Sequence, residues 1–278
     1  MSSGKVITIG ELASGEGCRK FRGGEISAST DELLMSADRK NLSVTVGAGV
    51  SARLLILHTK PKEGAVEIEL LEGASLSVTE VFMCGAYSDV VVRQSENSRC
   101  DYTLAELGSG NASYRAELNA RDAEWRFGGV FVGTDFDRCA VTLDTRHNAA
   151  DCRSESMVKG VVSGRASGEF RGLVYVAPDA QRTDARQQSR NIELSADSHI
   201  VARPQLEIYA DDVKCSHGAT VGHRDDEALF YMRQRGLSER EAQRLQIEGF
   251  VKDVVLHCPD EDLRRVLEAE LESKLQKL

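Results

Sequence analysis

Between Leu42 and Asn148 the chain repeats one pattern. Short runs of alternating apolar and polar residues are closed by small ones: LSVTVGAGVSARLLILHT, VEIELLEGASLSVTEVFM, DVVVRQSENSRCDYTLAEL, ASYRAELNARDAEWRFGGVFVG and RCAVTLDTRHN. Residues such as Leu42, Val44, Val46, Leu54 and Ile56 recur with a period of two, the signature of strands with one buried face. The expected turns fall at Gly47–Gly49, Glu72–Ala74, Ser109–Asn111 and Gly128–Gly129. The repeat distance of roughly 20 to 25 residues is that of a solenoid coil. Asn-Gly and Asp-Gly pairs are absent, which disfavours a meander of tight hairpins. A β-helix, in which each coil buries its inward residues on the next, fits these features. A β-sandwich fits the same periodicity.

The totals exclude several function classes. In 278 residues, 41% are hydrophobic and 28% charged, as in an ordinary soluble protein. The net charge of -9 argues against a nucleic-acid partner, which needs concentrated Lys and Arg. No apolar run approaches the roughly 20 residues of a membrane span. The start, MSSGKVITIGELASGEG, lacks the basic and apolar regions of a secretion signal, so a cytoplasmic location is expected. Seven cysteines, an odd number scattered along the chain, do not form a disulfide pattern. Cys18, Cys84, Cys100 and Cys139 are expected to be small buried hydrophobes.

The pattern changes near the C-terminus. Leu206, Ile208 and Tyr209 follow Pro204, which is expected to open a strand. Cys215, His217 and His223 then crowd into nine residues, interspersed with Gly218 and Gly222. Asp225 and Asp226 suit a helix N-terminus, and Ser238 with Glu241 reads as a capping box. Helices are expected over 225–234, 238–257 and 259–277, the last with Pro259 in its first turn and an apolar stripe of Leu263, Val266, Leu267, Leu271, Leu275 and Leu278. One face of these helices is expected to pack on the end of the β-helix. His257 and Cys258 read as structural, with a histidinium favoured by the helix end. The expected division is a segment 1–40 with weak strand candidates at Val6, Ile7 and Ile9, a core 41–224 and a helical part 225–278.

The runs LEIYADDVKCSHGATVG and ALFYMRQRGLSEREAQ, together with FRGLVYVAPDAQRTDARQQSRN, resemble the SufB/SufD family of iron–sulfur cluster assembly scaffolds. The resemblance covers about the last 140 residues, and SHGAT and AQRTDA are closer to the SufD branch. It implies a mainly β fold, a right-handed parallel β-helix with a C-terminal α-helical cap, and a non-catalytic scaffold working with a SufC-like ATPase. A SufB-like chain, or a second copy of this one, would complete the scaffold. It also implies a transient iron–sulfur cluster, with 4Fe–4S as one candidate type, and a reduced flavin as a candidate cofactor. The resemblance also implies a larger N-terminal region in family members, for which no room is expected within these 278 residues.

Cys215 and His217 stand two apart, so on a strand they share a face and can serve one metal. The spacing alone is weak, and a buried thiol beside a satisfied histidine is the commoner arrangement. The resemblance makes His217 the foremost candidate cluster ligand and Cys215 the second, at a SufB–SufD interface, and leaves His223 peripheral. SufB-like chains place a cysteine in a QCDSLL-type run; here QQSRNIEL has Ser189, a poor sulfur acceptor. His147 and Cys152 form a second candidate pair, for which a turn closed by hydrogen bonds is the commoner reading. The ATPase would dock on the helices around Phe230, Tyr231, Arg233, Arg235, Gly236 and Phe250. No G-x-x-x-x-G-K phosphate loop is present, so no nucleotide hydrolysis is expected of this chain.

Two alternatives belong to other readings. A self-sufficient homodimeric scaffold would build its site from two copies of Cys215 and His217. A carbohydrate-active β-helix enzyme would need paired carboxylates, for which Asp135/Asp137, Asp144 and Asp211/Asp212 are available. Aromatic content of 5% with one Trp leaves few sugar platforms.

Overall fold

The computed structural model describes residues 18–20, 24–28, 33–38 and 41–276. Val6, Ile7 and Ile9 lie outside the described residues, as does the side chain of Cys18. Strands are numbered in chain order. One sheet carries the odd strands: β1 (Cys18–Lys20), β3 (Leu33–Ala37), β5 (Ser51–His58), β7 (Ser75–Phe82), β9 (Arg99–Glu106), β11 (Glu124–Gly133), β13 (Arg153–Val162), β15 (Asp184–Glu193) and β17 (Lys214–Gly222). The other carries the even ones: β2 (Gly24–Ala28), β4 (Asn41–Val46), β6 (Glu63–Leu70), β8 (Ala86–Gln94), β10 (Gly110–Leu118), β12 (Arg138–His147), β14 (Ser167–Val176) and β16 (His199–Ile208). Consecutive strands never pair. Each bonds in parallel to the strand two places on, so the chain is a parallel β-helix. Crossovers of a dozen residues or more per parallel pair replace the missing hairpins.

The coils widen along the chain. Ser51, Ser75 and Arg99 stack at intervals of 24 residues, whereas Glu124, Arg153, Asp184 and Lys214 stack at intervals of 29 to 31. The repeat expected from sequence therefore holds only for the earlier coils. The corner between sheets repeats at Gly49, Gly73, Asn97, Asp122 and Asp151, all with φ between 55° and 67°. Gly, Asn and Asp are the residues that accept this left-handed backbone. Four of these corners hand a hydrogen bond to the next coil: Gly49 N–H to Glu72 O (2.8 Å), Gly73 N–H to Glu96 O (2.8 Å), Asn97 N–H to Arg121 O (3.0 Å) and Asp151 N–H to Gln181 O (2.9 Å).

The interior is one continuous apolar core from Ala28 to Ile200. Inward positions stack in register, giving the column Leu34, Leu54, Val78, Tyr102, Phe127, Ser156, Gln187 and His217. Tyr102, Tyr114, Trp125 and Phe127 fill the middle coils with ring centroids 4.9 to 6.0 Å apart. Burying rings of that size contributes strongly to stability.

The cap consists of α1 (Asp226–Gln234), α2 (Glu239–His257) and α3 (Glu261–Leu275). The capping box forms: Ser238 N–H donates to Glu241 Oε2 at 2.8 Å and Glu241 N–H to Ser238 Oγ at 3.3 Å. Pro259 lies one residue outside α3, whose N-cap is Asp260, because that carboxylate accepts from Leu263 N–H at 2.9 Å. The two longer helices do not sit over the end of the solenoid. α2 and α3 lie along the outer flank of the odd sheet, burying Ile247, Val251, Val254, Leu263, Leu267 and Leu271 against Leu55, Leu57, Val81, Val130 and Val161. This explains why β5, β7, β11 and β13 alternate in their first halves and are buried on both faces in their second.

Three ion pairs pin the cap: Lys159 to Asp253 (2.6 Å), Lys274 to Asp137 (2.9 Å) and Arg53 to Asp260 (2.8 Å). Gly128 and Gly129, expected as a turn, lie inside β11. A Cβ on Gly128 would come within 2.8 Å of the His257 ring, so the glycine admits that ring to the sheet surface. Burial keeps His257 neutral by lowering its pKa, and the expected histidinium does not form. Pro204 lies within β16 rather than at its start, and β16 tolerates it as the outermost strand of its sheet.

Candidate functional site

β16 and β17 are the last strands of their sheets, so the solenoid ends there with its interior in cross-section. A closed coil hides its inward row; this one leaves it open. Ile208 is 38% exposed and Val221 44%, although both occupy inward positions. Among these apolar residues stand Cys215 and His217, on the same inward side of β17.

Cys215 lies over Ala185 and Ser154 and is half-buried against Val174, Val176, Ala180 and Ala210. Burial raises its thiol pKa, and Asp184 adds to the effect, so the free chain holds a protonated thiol. His217 is exposed, and no hydrogen bond to a described residue fixes its ring. Beneath it lie Gln187 and Ser156, both buried. Ser189, two residues along β15 from Gln187, is buried and accepts from Asn191 Nδ2 at 2.9 Å. His223 lies beyond the strand, exposed, with Nδ1 3.4 Å from the Glu193 carbonyl.

Among the described residues no group of three or more His, Cys, Asp or Glu side chains is arranged to hold a metal ion. Cys215 and His217 supply a soft thiolate, once deprotonated, and an imidazole. One chain thus offers two side chains of the kinds that bind soft metals, fewer than a complete ligand set.

His147 and Cys152 each have a partner of their own. The His147 ring points into the interior, where Nε2 meets Ser154 Oγ at 2.8 Å and burial lowers its pKa to about 4. Cys152 lies in the turn before β13 and donates to the Ala120 carbonyl at 3.1 Å, its pKa raised by burial to about 11. Of the cysteines expected in the core, Cys100 and Cys139 are buried and Cys84 half-buried.

On α1, Phe230 is 64% and Tyr231 59% exposed. Arg235 stacks on Tyr231 and donates to its hydroxyl at 2.8 Å; Arg233 reaches Glu239 across the turn at Gly236 (φ +96°). Phe250 differs: it is half-buried against the odd sheet, with Lys159 Nζ 4.7 Å from its ring centre.

Among the polar groups inside the solenoid that sequence reasoning missed, two bear on the site and its support. Glu80, fully buried, accepts from Tyr102 (2.6 Å) and Tyr114 (2.7 Å) and pairs with His58 (2.7 Å). Burial opposes its charge, yet the His58 hydrogen bond and charge with both phenols hold its pKa below the usual value. Gln187 is the other. Only the register shows that these side chains point inward.

The profile described as SUF system FeS cluster assembly, SufBD core domain, matches residues 27–250. The chain is 35% identical over 159 residues to the iron–sulfur cluster assembly protein SufD of Escherichia coli, covering 57% of this chain and 38% of that protein. It is 37% identical over 233 residues to SufD of Bacillus subtilis, covering 80% and 53%. It is 31% identical over 253 residues to an iron–sulfur cluster assembly SufBD family protein of Mycobacterium leprae, covering 84% and 64%. These stretches span between about a third and two thirds of the relatives' own lengths.

Proposed function

Because the chain belongs to the SufBD core family of SUF-system iron–sulfur cluster assembly, we propose that it is a SufD-like scaffold subunit. In this role it lends His217 and Cys215 to a cluster built against a second scaffold chain. The observation that carries the reading is the open end of the solenoid. Two metal-binding side chains stand there among inward residues that no further coil covers, and one chain provides too few ligands. Terminal repeats of a solenoid need a cap. Docking a second β-helix end would cover Ile208 and Val221, offer β17 a pairing edge and complete the coordination set. A metal would also displace the Cys215 proton, which burial otherwise retains.

The cluster is cargo here, and the chain performs no covalent step on it. The driving motion would come from a SufC-like ATPase. Phe230, Tyr231 and Arg235 on α1 form its docking surface, since their exposed aromatic and guanidinium groups are the kind that anchor interfaces. E. coli SufD and B. subtilis SufD bear the name of cluster assembly proteins, which supports the same role. A self-paired scaffold, with the second β-helix end supplied by another copy, uses the same two residues. The location would be cytoplasmic, and a reduced flavin could serve as the electron source.

Anaerobic reconstitution with iron and sulfide tests the reading, first with the ATPase alone and then with a SufB-like chain added. Wild-type protein should gain visible absorption only in the complete complex, and His217→Ala should abolish it while complex formation persists. Colour with the ATPase alone would select the self-paired scaffold. Undiminished cluster yield in His217→Ala would remove His217 from the site.

A further inference from the structure

We infer that Gln187 is a positioning residue of this site: its carboxamide oxygen accepts the remaining ring N–H of His217 when that histidine binds metal. This rests on the reading of His217 given above.

Three observations lead to it. First, Gln187 has no exposed surface, and neither Oε1 nor Nε2 has a hydrogen-bond partner among the described residues. Burying an amide without a partner is costly, and such groups persist where another role requires them. Second, the position is made for a long polar side chain. A Cβ on Gly172, in the facing sheet, would come 2.2 Å from Gln187 Oε1, so the glycine provides the niche the amide occupies. Third, the residue stacked on Gln187 in the last coil is His217. Parallel strands run about 4.8 Å apart, both side chains point inward, and both line one cavity of about 290 Å³.

A histidine that ligates metal through one ring nitrogen needs an acceptor for the N–H on the other, which fixes tautomer and ring orientation. Among the described residues His217 has no such acceptor in the free chain. Its neighbours Ser216 and Gly218 point outward, Ala219 is apolar, and a metal-bound Cys215 thiolate would face the metal. The nearest buried acceptor in the column is Gln187 Oε1. Turning the amide from its niche toward the ring exchanges an orphan group for a hydrogen bond only when the metal has oriented His217.

The test uses zinc, a diamagnetic probe, on the full chain labelled with 15N histidine. Gln187→Met preserves length without polarity, and Gln187→Glu preserves the acceptor. Zinc should shift the His217 ring nitrogens in all three proteins. The ring N–H signal should resist water exchange in wild type and Gln187→Glu and vanish in Gln187→Met, with zinc affinity falling about 10- to 100-fold. The metal-free Gln187→Met chain should melt at a higher temperature than wild type, because an unbonded amide has been removed. An unchanged N–H signal and affinity in Gln187→Met would overturn the inference. So would a lowered melting temperature, which would make the amide structural. Zinc that leaves His217 unshifted in wild type would instead sink the site reading beneath it.

Discussion

The interior of the earlier coils and that of the last three differ in what fills the same column. From β5 to β11 it reads Leu54, Val78, Tyr102 and Phe127, and Glu80 beside it is matched by His58 and two phenols, while Glu106, Thr103 and Trp125 each keep an unbonded buried polar atom. From β13 to β17 the same column reads Ser156, Gln187 and His217, and Gln187 and Asn191 each have an unbonded buried polar atom. Unbonded polar atoms occur in both regions, so it is the change from apolar to polar filling beside the candidate ligands that sets the last coils apart.

The comparison breaks most visibly at the aromatic layer. Phe127→Ala should cost about 3–5 kcal/mol in denaturant unfolding, by lost burial and the cavity left behind. A loss below about 1 kcal/mol would mean that the layer is not the stabilising core.

The Glu80 network comes next. Glu80→Gln should lower stability by on the order of 1–3 kcal/mol at neutral pH, by breaking a buried charged set. Because the folded pKa of Glu80 lies below its unfolded value of 4.5, its contribution is present above that value and lost as pH falls through the folded pKa. Glu106 has the opposite sign. Burial above all raises its pKa well above 4.5, so its contribution is present below that value and fades as pH rises. Unfolding followed from pH 3 to 8 should show Glu106→Gln relatively more stable toward neutral pH and Glu80→Gln relatively less acid-sensitive. Parallel pH curves for wild type and both variants would remove the distinction between a matched and an unmatched buried carboxyl.

At the functional end, effects on stability should be smaller. Gly172→Ala should displace the Gln187 amide and cost about 1 kcal/mol, of the order of an overpacked site that can partly relax. Unchanged melting would mean that the niche is loose. The smallest effect is expected of Cys215→Ser, within about 0.5 kcal/mol, as for a partly exposed residue outside the main core. In the wild-type chain, alkylation of Cys215 at pH 7 should be slower than that of a free thiol and accelerate with alkaline pH, read by peptide mass; fast labelling at pH 7 would contradict its raised pKa.

The sequence by itself determined strands with one buried face and the three helices, and the resemblance chose a β-helix over a β-sandwich. Period-two alternation, the turns at Gly47–Gly49 and Glu72–Ala74, and the Ser238/Glu241 box are local signals, and local physics suffices to form what they encode. It also singled out Cys215 and His217, because their spacing and the string around them are read along one strand. What only the tertiary structure decided depends on register and on which surface is covered. Gly128 reads as a turn until His257 arrives from more than a hundred residues away to lie on it. The flank of the odd sheet reads as strand ends of mixed character until α2 and α3 cover Leu55, Val81 and Val130. Glu80 and Gln187 resemble any exposed Glu or Gln in sequence; stacking residues one coil apart places the first between two tyrosines and the second beneath His217. Backbone pairing in parallel register fixes those neighbours, and no feature within a single strand carries that information.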